Sequence, residues 1–355
     1  MNKKNILIVG GYGEVGGKIA KLLLRSYPNR IVIAGRNIEK AKLFCARCNH
    51  LATPIQMDVS KTVNPQQLEG VALVIMCLEQ QDTAFTQLCL REGIMYIDIT
   101  ASYAFLKKLE DLHPIAEQHH STIVYSVGMA PGLTNLMAMH AAQQLTTIDQ
   151  LHISIFLGAG DTHGTAAVLW ILDQLNQPYH LNYQHKRQTI TNFTNRRVVQ
   201  FKGVGKRSLY QFNFSDQHTL TKHFSTSQIV TRMGFDVESL NRFVSFLQKS
   251  RLSYMLKLDK VQQLLASAIQ KIKIGSDVCG IKVEAIGRDQ FEERAVAITF
   301  LEHDESMVTA KIVATVATEL LEHHHPAGAY HIEELFTIET IKKLFTFSSL
   351  TEEFS

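Results

Sequence analysis

Cysteine is scarce and scattered in this chain of 355 residues: Cys45, Cys48, Cys77, Cys89 and Cys279 form an odd set without regular spacing, which argues against a disulfide framework. Cys45-Ala46-Arg47-Cys48 has redox-motif spacing, but it falls inside a segment that reads as a helix and lacks a second pair for zinc. Both cysteines therefore read as structural. No run of 18 uncharged apolar residues exists, so no membrane-spanning helix is expected. The formal net charge is only +3, with no long basic block and no aromatic-basic ladder, which argues against a nucleic-acid partner. His323-His324-His325 precedes Pro326, but adjacent residues on a helix do not face one site, so the tract reads as a solvated helix end and no metal is expected. The chain enters an apolar run directly after Met1-Asn2-Lys3-Lys4, without a signal-peptide pattern, and a cytoplasmic protein is expected.

What is present begins at once. "KNILIVGGYGEVGGKIAKLLL" (residues 4–24) reads as strand, tight turn and helix: Ile6 to Val9 form a continuous apolar run, Gly11-Tyr12-Gly13-Glu14-Val15-Gly16 is G-x-G-x-x-G, and Val15, Ile19, Leu22 and Leu23 recur at helical spacing. In a dinucleotide site the first glycine makes the turn, the second admits a pyrophosphate and the third lets helix and strand pack closely. The next apolar run, Ile31 to Ala34, ends in Gly35-Arg36-Asn37. An NAD site would place an acid about 20 residues past the glycines, whereas an arginine there accommodates a 2′-phosphate. The expected cofactor is NADP, held by Gly11, Tyr12, Gly13, Glu14, Val15, Gly16, Arg36 and Asn37.

Four further apolar runs, near Ile55 to Val59, Ala72 to Leu78, Met95 to Ile99 and Thr122 to Val127, alternate with helical segments. Six such strands predict an α/β chain with an N-terminal Rossmann doubly wound parallel sheet over residues 1–126. Longer-spaced strands over residues 127–305 predict a second α+β domain of mixed or antiparallel sheet for substrate binding and dimerisation. Residues 306–355 read as a C-terminal helical return to the Rossmann domain. Ligands of such sheets bind outside the carboxyl ends of the strands, which singles out Asp58, Cys77, Leu78 and Thr100 for the cofactor. Asp58 fits either an adenine-facing residue or an ordinary loop position, and so does Leu78 as a cofactor contact.

With the glycine loop, "IDITASY" (97–103), "SVGMAPGLTN" (126–135), "FNFSDQH" (212–218) and the ending "PAGAYHIEELF", the chain resembles the bacterial branch of the saccharopine dehydrogenase-like family over nearly its whole length. The resemblance implies a homodimeric NADP-dependent oxidoreductase of a C–N bond, either reductively condensing an amine or amino acid with an aldehyde or keto acid or running the reverse. Saccharopine-forming relatives usually carry Asp before the Pro-Gly and His where Asn135 stands. Ala130 and Asn135 depart from that pattern and argue against saccharopine itself.

The chemistry requires a hydride-accepting carbon held against the nicotinamide, a proton donor, and a partner for any substrate carboxylate. Pro131, Gly132, Asn135 and Ser102 are candidates for substrate binding, with Tyr103 as a hydroxyl donor. His163 in "GAGDTHGTAAVLW" and His218 in "FSDQHTL" are candidate acids or bases, or else ordinary core or surface histidines. Arg232 suits either a carboxylate anchor or a structural ion pair. A carbonyl reductase without an amine partner and a non-enzymatic NADP(H) sensor stay open beside the C–N reading. Because Arg36 carries the cofactor choice, Arg36→Glu should shift relative affinity from NADPH towards NADH in a binding titration.

Overall fold

The computed structural model describes residues 4–161, 165–175, 177–183, 186–224, 228–250, 274–290, 292–345 and 349–354. The chain divides into two compact units: Met1–Leu133 with Ser306–Ile341, and Thr134–Glu305 with Lys342–Ser355.

The first unit is built on a seven-stranded sheet in which every pairing is parallel. In chain order its strands are β1 (Asn5–Val9), β2 (Ile31–Gly35), β3 (Ala52–Gln56), β4 (Val71–Met76), β5 (Met95–Asp98), β6 (Thr122–Tyr125) and β15 (Gly328–His331). Their spatial order is β15-β6-β5-β4-β1-β2-β3. A parallel sheet is covered on both faces, so its central strands must be apolar throughout. Ile6, Leu7, Ile8 and Val9 are accordingly all fully buried, as are Val74, Ile75 and Met76. The helices α1 (Glu14–Leu23), α2 (Ile38–Arg47), α3 (Ala84–Arg91), α4 (Tyr103–Glu110) and α5 (His113–Gln118) connect the strands. Sequence periodicity predicts one helix from Phe105 to His119; the structure divides it into α4 and α5, with Pro114 in the first turn of α5, where its missing N–H costs nothing. Chain order reverses direction across the sheet between β1 and β4, and the carboxyl ends of these two strands form the crevice in which such sheets bind ligands.

The second unit carries a mixed seven-stranded sheet in the order β10-β11-β12-β7-β13-β14-β16. Its members are β7 (Thr147–Leu157), β10 (Thr194–Phe201), β11 (Gly205–Gln211), β12 (Gln228–Phe235), β13 (Val278–Asp289), β14 (Glu292–His303) and β16 (Leu350–Phe354), and a two-stranded ribbon, β8 (Tyr179–Tyr183) with β9 (Lys186–Ile190), stands apart. Only β7 and β12 run parallel; the other pairings in the seven-stranded sheet are antiparallel. Helix α6 (Thr134–Ala142) packs on β13, β14 and β7. Among the described residues, further helices lie within or after this region: α7 (Thr165–Gln174), α8 (Asp216–Thr219), α9 (Glu238–Lys249), α10 (Glu305–Glu322), α11 (Ile332–Leu335) and α12 (Ile338–Lys342).

Two expectations change. Residues 306–355 are not a purely helical return: after α10 the chain adds β15 to the first sheet beside β6, then β16 to the second sheet beside β14. The first unit also continues to Leu133, beyond the expected boundary at 126, because the loop after β6 stays with it.

The long strand β13 carries two glycines that hide it in sequence, and each is required by a neighbour. A Cβ at Gly280 would lie 2.9 Å from Cζ of Phe156, while a Cβ at Gly287 would overlap the Thr147 carbonyl oxygen where the β13–β7 register shifts. That second neighbour is backbone and cannot rotate away. Gly287→Ala should therefore lower stability by about 1–3 kcal/mol, read as a lower urea midpoint with an unchanged m-value.

Candidate dinucleotide site and polar clusters

The glycine loop forms where β1 turns into α1. Gly10 takes a left-handed φ of 80°, its N–H donates to Ala34 O at 2.8 Å, and its carbonyl accepts from Gly13 N–H at 2.9 Å. The turn leaves no room for side chains: a Cβ at Gly16 would sit 2.5 Å from the Gly10 oxygen, and one at Gly11 2.8 Å from the Ile8 oxygen. Gly13, exposed at the mouth of the turn, N-caps α1 with no side-chain hydrogen bond, so nothing bulky stands before the helix N-terminus. These residues fit a pyrophosphate, which approaches backbone N–H groups at such an end. Glu14 would repel it, but its carboxylate is 2.8 Å from Lys18 Nζ, and Lys18 also donates to Ser306 Oγ at 2.6 Å.

At the end of β2, Arg36 and Asn37 are exposed. Asn37 caps α2 by accepting from Lys40 N–H at 3.0 Å, and Gln56 Nε2 donates to the Arg36 carbonyl at 3.1 Å. The Tyr12 ring lies over Gly35, its hydroxyl accepting from Asn37 N–H at 3.2 Å. Asp58, following β3, accepts from the Ser60 hydroxyl at 2.6 Å, which holds its carboxyl below the ordinary range; the charges of Lys61 and Arg36 act in the same direction.

The loops after β4 and β5 meet at a buried acid that sequence reading passed over. Asp98, fully buried at the end of β5, accepts from Thr100 N–H at 2.8 Å and from Gln80 Nε2 at 2.9 Å. Gln80 Oε1 accepts from the Tyr96 hydroxyl at 3.3 Å, and Thr100 Oγ1 donates to Glu79 at 3.4 Å and accepts from Ser102 N–H at 3.2 Å. Burial pushes the Asp98 carboxyl up to about 7; the Thr100 N–H opposes that shift and the Glu79 charge adds to it. The available signal was an acid closing an otherwise apolar run, Tyr96-Ile97-Asp98. Ser102 caps α4, accepting from Phe105 N–H at 3.4 Å, and the Tyr103 ring lies 5.6 Å from Lys107 Nζ. Leu78 is 40% exposed and covers Gly10, whereas burial raises the Cys77 thiol far above its usual range and keeps it protonated.

After β6 the chain makes a tight loop rather than a helix start. Ser126 has φ 59°, the Ala130-Pro131 bond is cis, and Gly132 has φ 132°, with a built Cβ only 2.9 Å from the Ser126 oxygen. Pro131 and Gly132 are both buried, and the Leu133 N–H donates to Gly128 O at 2.8 Å. The loop is held from beneath by His331, whose Nδ1 is 2.8 Å from Ser126 Oγ and whose Nε2 is 3.1 Å from Glu110 Oε1. This Ser–His–Glu arrangement is sealed, since Ser126 and His331 are fully buried.

In the second unit Asn135 is also fully buried, and its Nδ2 donates to Thr219 Oγ1 at 3.2 Å. His218 Nε2 lies 2.7 Å from Asn213 Oδ1, and its ring stands edge-on to Tyr179 at 6.1 Å. Burial raises the Tyr179 phenol while the nearby Arg232 charge opposes the shift, so Arg232 and His218 both neighbour this tyrosine, which sequence reading did not single out. Thr231, beside Arg232 in β12, donates to Asp216 Oδ1 at 2.6 Å. On the adjacent strand, burial and the charges of Arg197 and Arg232 push His152 down to about 4. His163 lies outside the described residues.

Residues 6–124 match the saccharopine dehydrogenase NADP binding domain. The fold is similar to that of an apo saccharopine dehydrogenase (L-Glu forming) from Saccharomyces cerevisiae, with a TM-score of 0.70 at 11% identity, covering 99% of this chain and 100% of that one.

Residues 6–124 thus carry a saccharopine dehydrogenase-type NADP binding domain, and the likeness of the rest of the chain is one of fold.

A DAP dehydrogenase from C. glutamicum, in complex with DAP, gives a TM-score of 0.47 at 11% identity over 96% of each chain. No curated protein matches by sequence. Among the described residues, no helix is long and apolar enough to cross a membrane, and no group of three or more His, Cys, Asp or Glu could hold a metal ion.

Asp98 generates a pH prediction. With a native carboxyl titrating near 7 and an unfolded one near about 4, the native state retains a proton that the unfolded state has released between those values. Rising pH then favours unfolding. Relative to Asp98→Asn, the wild-type melting temperature should fall as pH rises from about 4 to about 7 and stay level above that; a difference independent of pH would refute the assignment.

Proposed function

We propose that this protein is an NADP(H)-dependent oxidoreductase acting on a C–N bond of an amino acid, an amine or an opine-like secondary amine. The observation that carries the reading is the NADP-binding-domain match over residues 6–124, together with a glycine loop whose geometry leaves space for a pyrophosphate. Arg36, exposed at the end of β2 where an NAD site would carry an acid, supports the phosphorylated dinucleotide.

The bound cofactor supplies or accepts the hydride. The chain's own residues do the rest. Gly11, Gly13 and Gly16 keep the backbone open to the pyrophosphate, and Lys18 neutralises Glu14 beside it. Asp98 fixes the loops carrying Gln80 and Thr100, and through Thr100 the cap residue Ser102 that precedes Tyr103. In the second unit Arg232 is the proposed anchor for a substrate carboxylate, with Tyr179 beside it. His218, oriented by Asn213, is the proposed proton donor within the described residues. With Ala130 before Pro131 and the Asn135 amide turned to Thr219, the substrate is proposed to be other than saccharopine.

The deciding assay is NADPH oxidation with pooled 2-oxo acids and semialdehydes, run with and without pooled amines and amino acids. Oxidation is expected only when both pools are present. Turnover with the carbonyl pool alone would instead establish a plain carbonyl reductase, and NADPH binding without turnover in any well would favour a sensor.

A further inference from the structure

Tyr12 belongs to the glycine loop by sequence, but its side chain lies elsewhere. The ring crosses to the end of β2 and rests on Gly35, where a Cβ would come within 2.5 Å of the Tyr12 hydroxyl oxygen and 2.7 Å of its Cζ. Residue 35 therefore cannot carry a side chain unless Tyr12 moves. The backbone amide of Asn37 donates to the Tyr12 hydroxyl at 3.2 Å, while the Asn37 side chain accepts from Lys40 N–H. The backbone N–H and the side-chain oxygen of Asn37 are thus engaged.

The consequence is electrostatic. At the end of the second strand, dinucleotide folds discriminate between cofactors by what meets the adenosine ribose: a carboxylate accepts from a 2′-hydroxyl and repels a 2′-phosphate. Here the tyrosine ring fills the space above residue 35 and presents a phenol instead. The phenol oxygen already accepts from the Asn37 amide, so its proton is the part left to give, and a phosphate offers only acceptor oxygens to a donor at this position. The exposed Arg36 is the adjacent residue in the chain, and its carbonyl is held by Gln56. The acid in electrostatic reach of Arg36, Asp58, is occupied by the Ser60 hydroxyl and N–H and lies 3.9 Å from Lys61 Nζ.

We propose that the Tyr12 phenol and the Arg36 guanidinium together read the adenosine 2′-phosphate, the phenol donating its O–H while the Asn37 amide polarises the phenol oxygen. This rests on the NADP(H) reading above and deepens it: Gly35 is the companion of a tyrosine that replaces the acid of NAD-type sites, rather than a position that merely lacks one.

The test is calorimetric titration of the full chain with NADPH and, separately, NADH, comparing wild type with Tyr12→Phe and Arg36→Glu. Phenylalanine keeps a ring on Gly35 and deletes only the hydroxyl. For Tyr12→Phe the NADPH dissociation constant should rise about tenfold or more, the effect of losing one hydrogen bond to a charged group, with NADH affinity unchanged. Equal weakening towards both dinucleotides, or no change towards either, overturns the role of Tyr12. If Arg36→Glu shifts the preference while Tyr12→Phe does not, the cofactor reading stands and this proposal alone fails. A wild type that binds NADH as tightly as NADPH brings down both.

Discussion

The architecture of the first unit depends on one close approach. Where α1 passes over the end of β1, Gly16 meets the Gly10 carbonyl so closely that even a methyl group would have no place. That approach sets how α1 lies on the sheet and where its N-terminus opens. It also brings Lys18, two residues further on, onto the hydroxyl of Ser306 in α10. A helix held a few tenths of an ångström further away would lose both the cradle and this tie, because interiors are packed too densely to absorb such a shift locally.

The same edge of the sheet shows a second pattern. Its polar side chains are mostly engaged in holding loops. Asp98 joins the loop after β5 to the loop after β4, and His331 joins β15 to α4 and to the loop after β6. A buried carboxyl and a buried imidazole are expensive to desolvate, and each is retained here with hydrogen-bond partners on two sides. Pinned loops of this kind present a site whose geometry is set before any ligand arrives, the condition for positioning to contribute to catalysis.

The sequence disclosed the first unit more fully than the second, for a physical reason. A covered parallel sheet needs continuous apolar strands, and those are visible as runs: β1, β2 and β4 to β6 are found within a few residues of where apolar composition puts them. A mixed sheet with one more polar face gives weaker signals. In β13, Lys282, Glu284 and the two glycines interrupt the pattern, and Gly280 is explained by the Phe156 and Leu301 side chains on the two neighbouring strands. The glycine loop was legible because its order alone implies a turn before a helix. The Asp98 network was not, because Gln80 and Thr100 come together through strand pairing and not through spacing. Tyr12 shows the limit most clearly: its place in the motif says nothing about its ring reaching β2. Sequence offers Ser102 and Asn135 as groups for substrate but not their bonds within the fold, where Ser102 caps α4 and Asn135 donates to Thr219.

Strand β15 gives the first unit an unusual history. Its sheet is finished not by the strand that follows β6 in the chain but by residues 328–331, more than two hundred positions later, so the second unit's main stretch is an insertion within the first. During synthesis the segment through residue 125 leaves the ribosome with β6 as an open edge, displaying unpaired N–H and C=O groups that a neighbouring chain could pair with. The partner that closes this edge, and the histidine that locks the loop beside it, are made only after the second unit's main stretch. Completion of the first unit is thereby deferred until the stretch Thr134–Glu305 has been made.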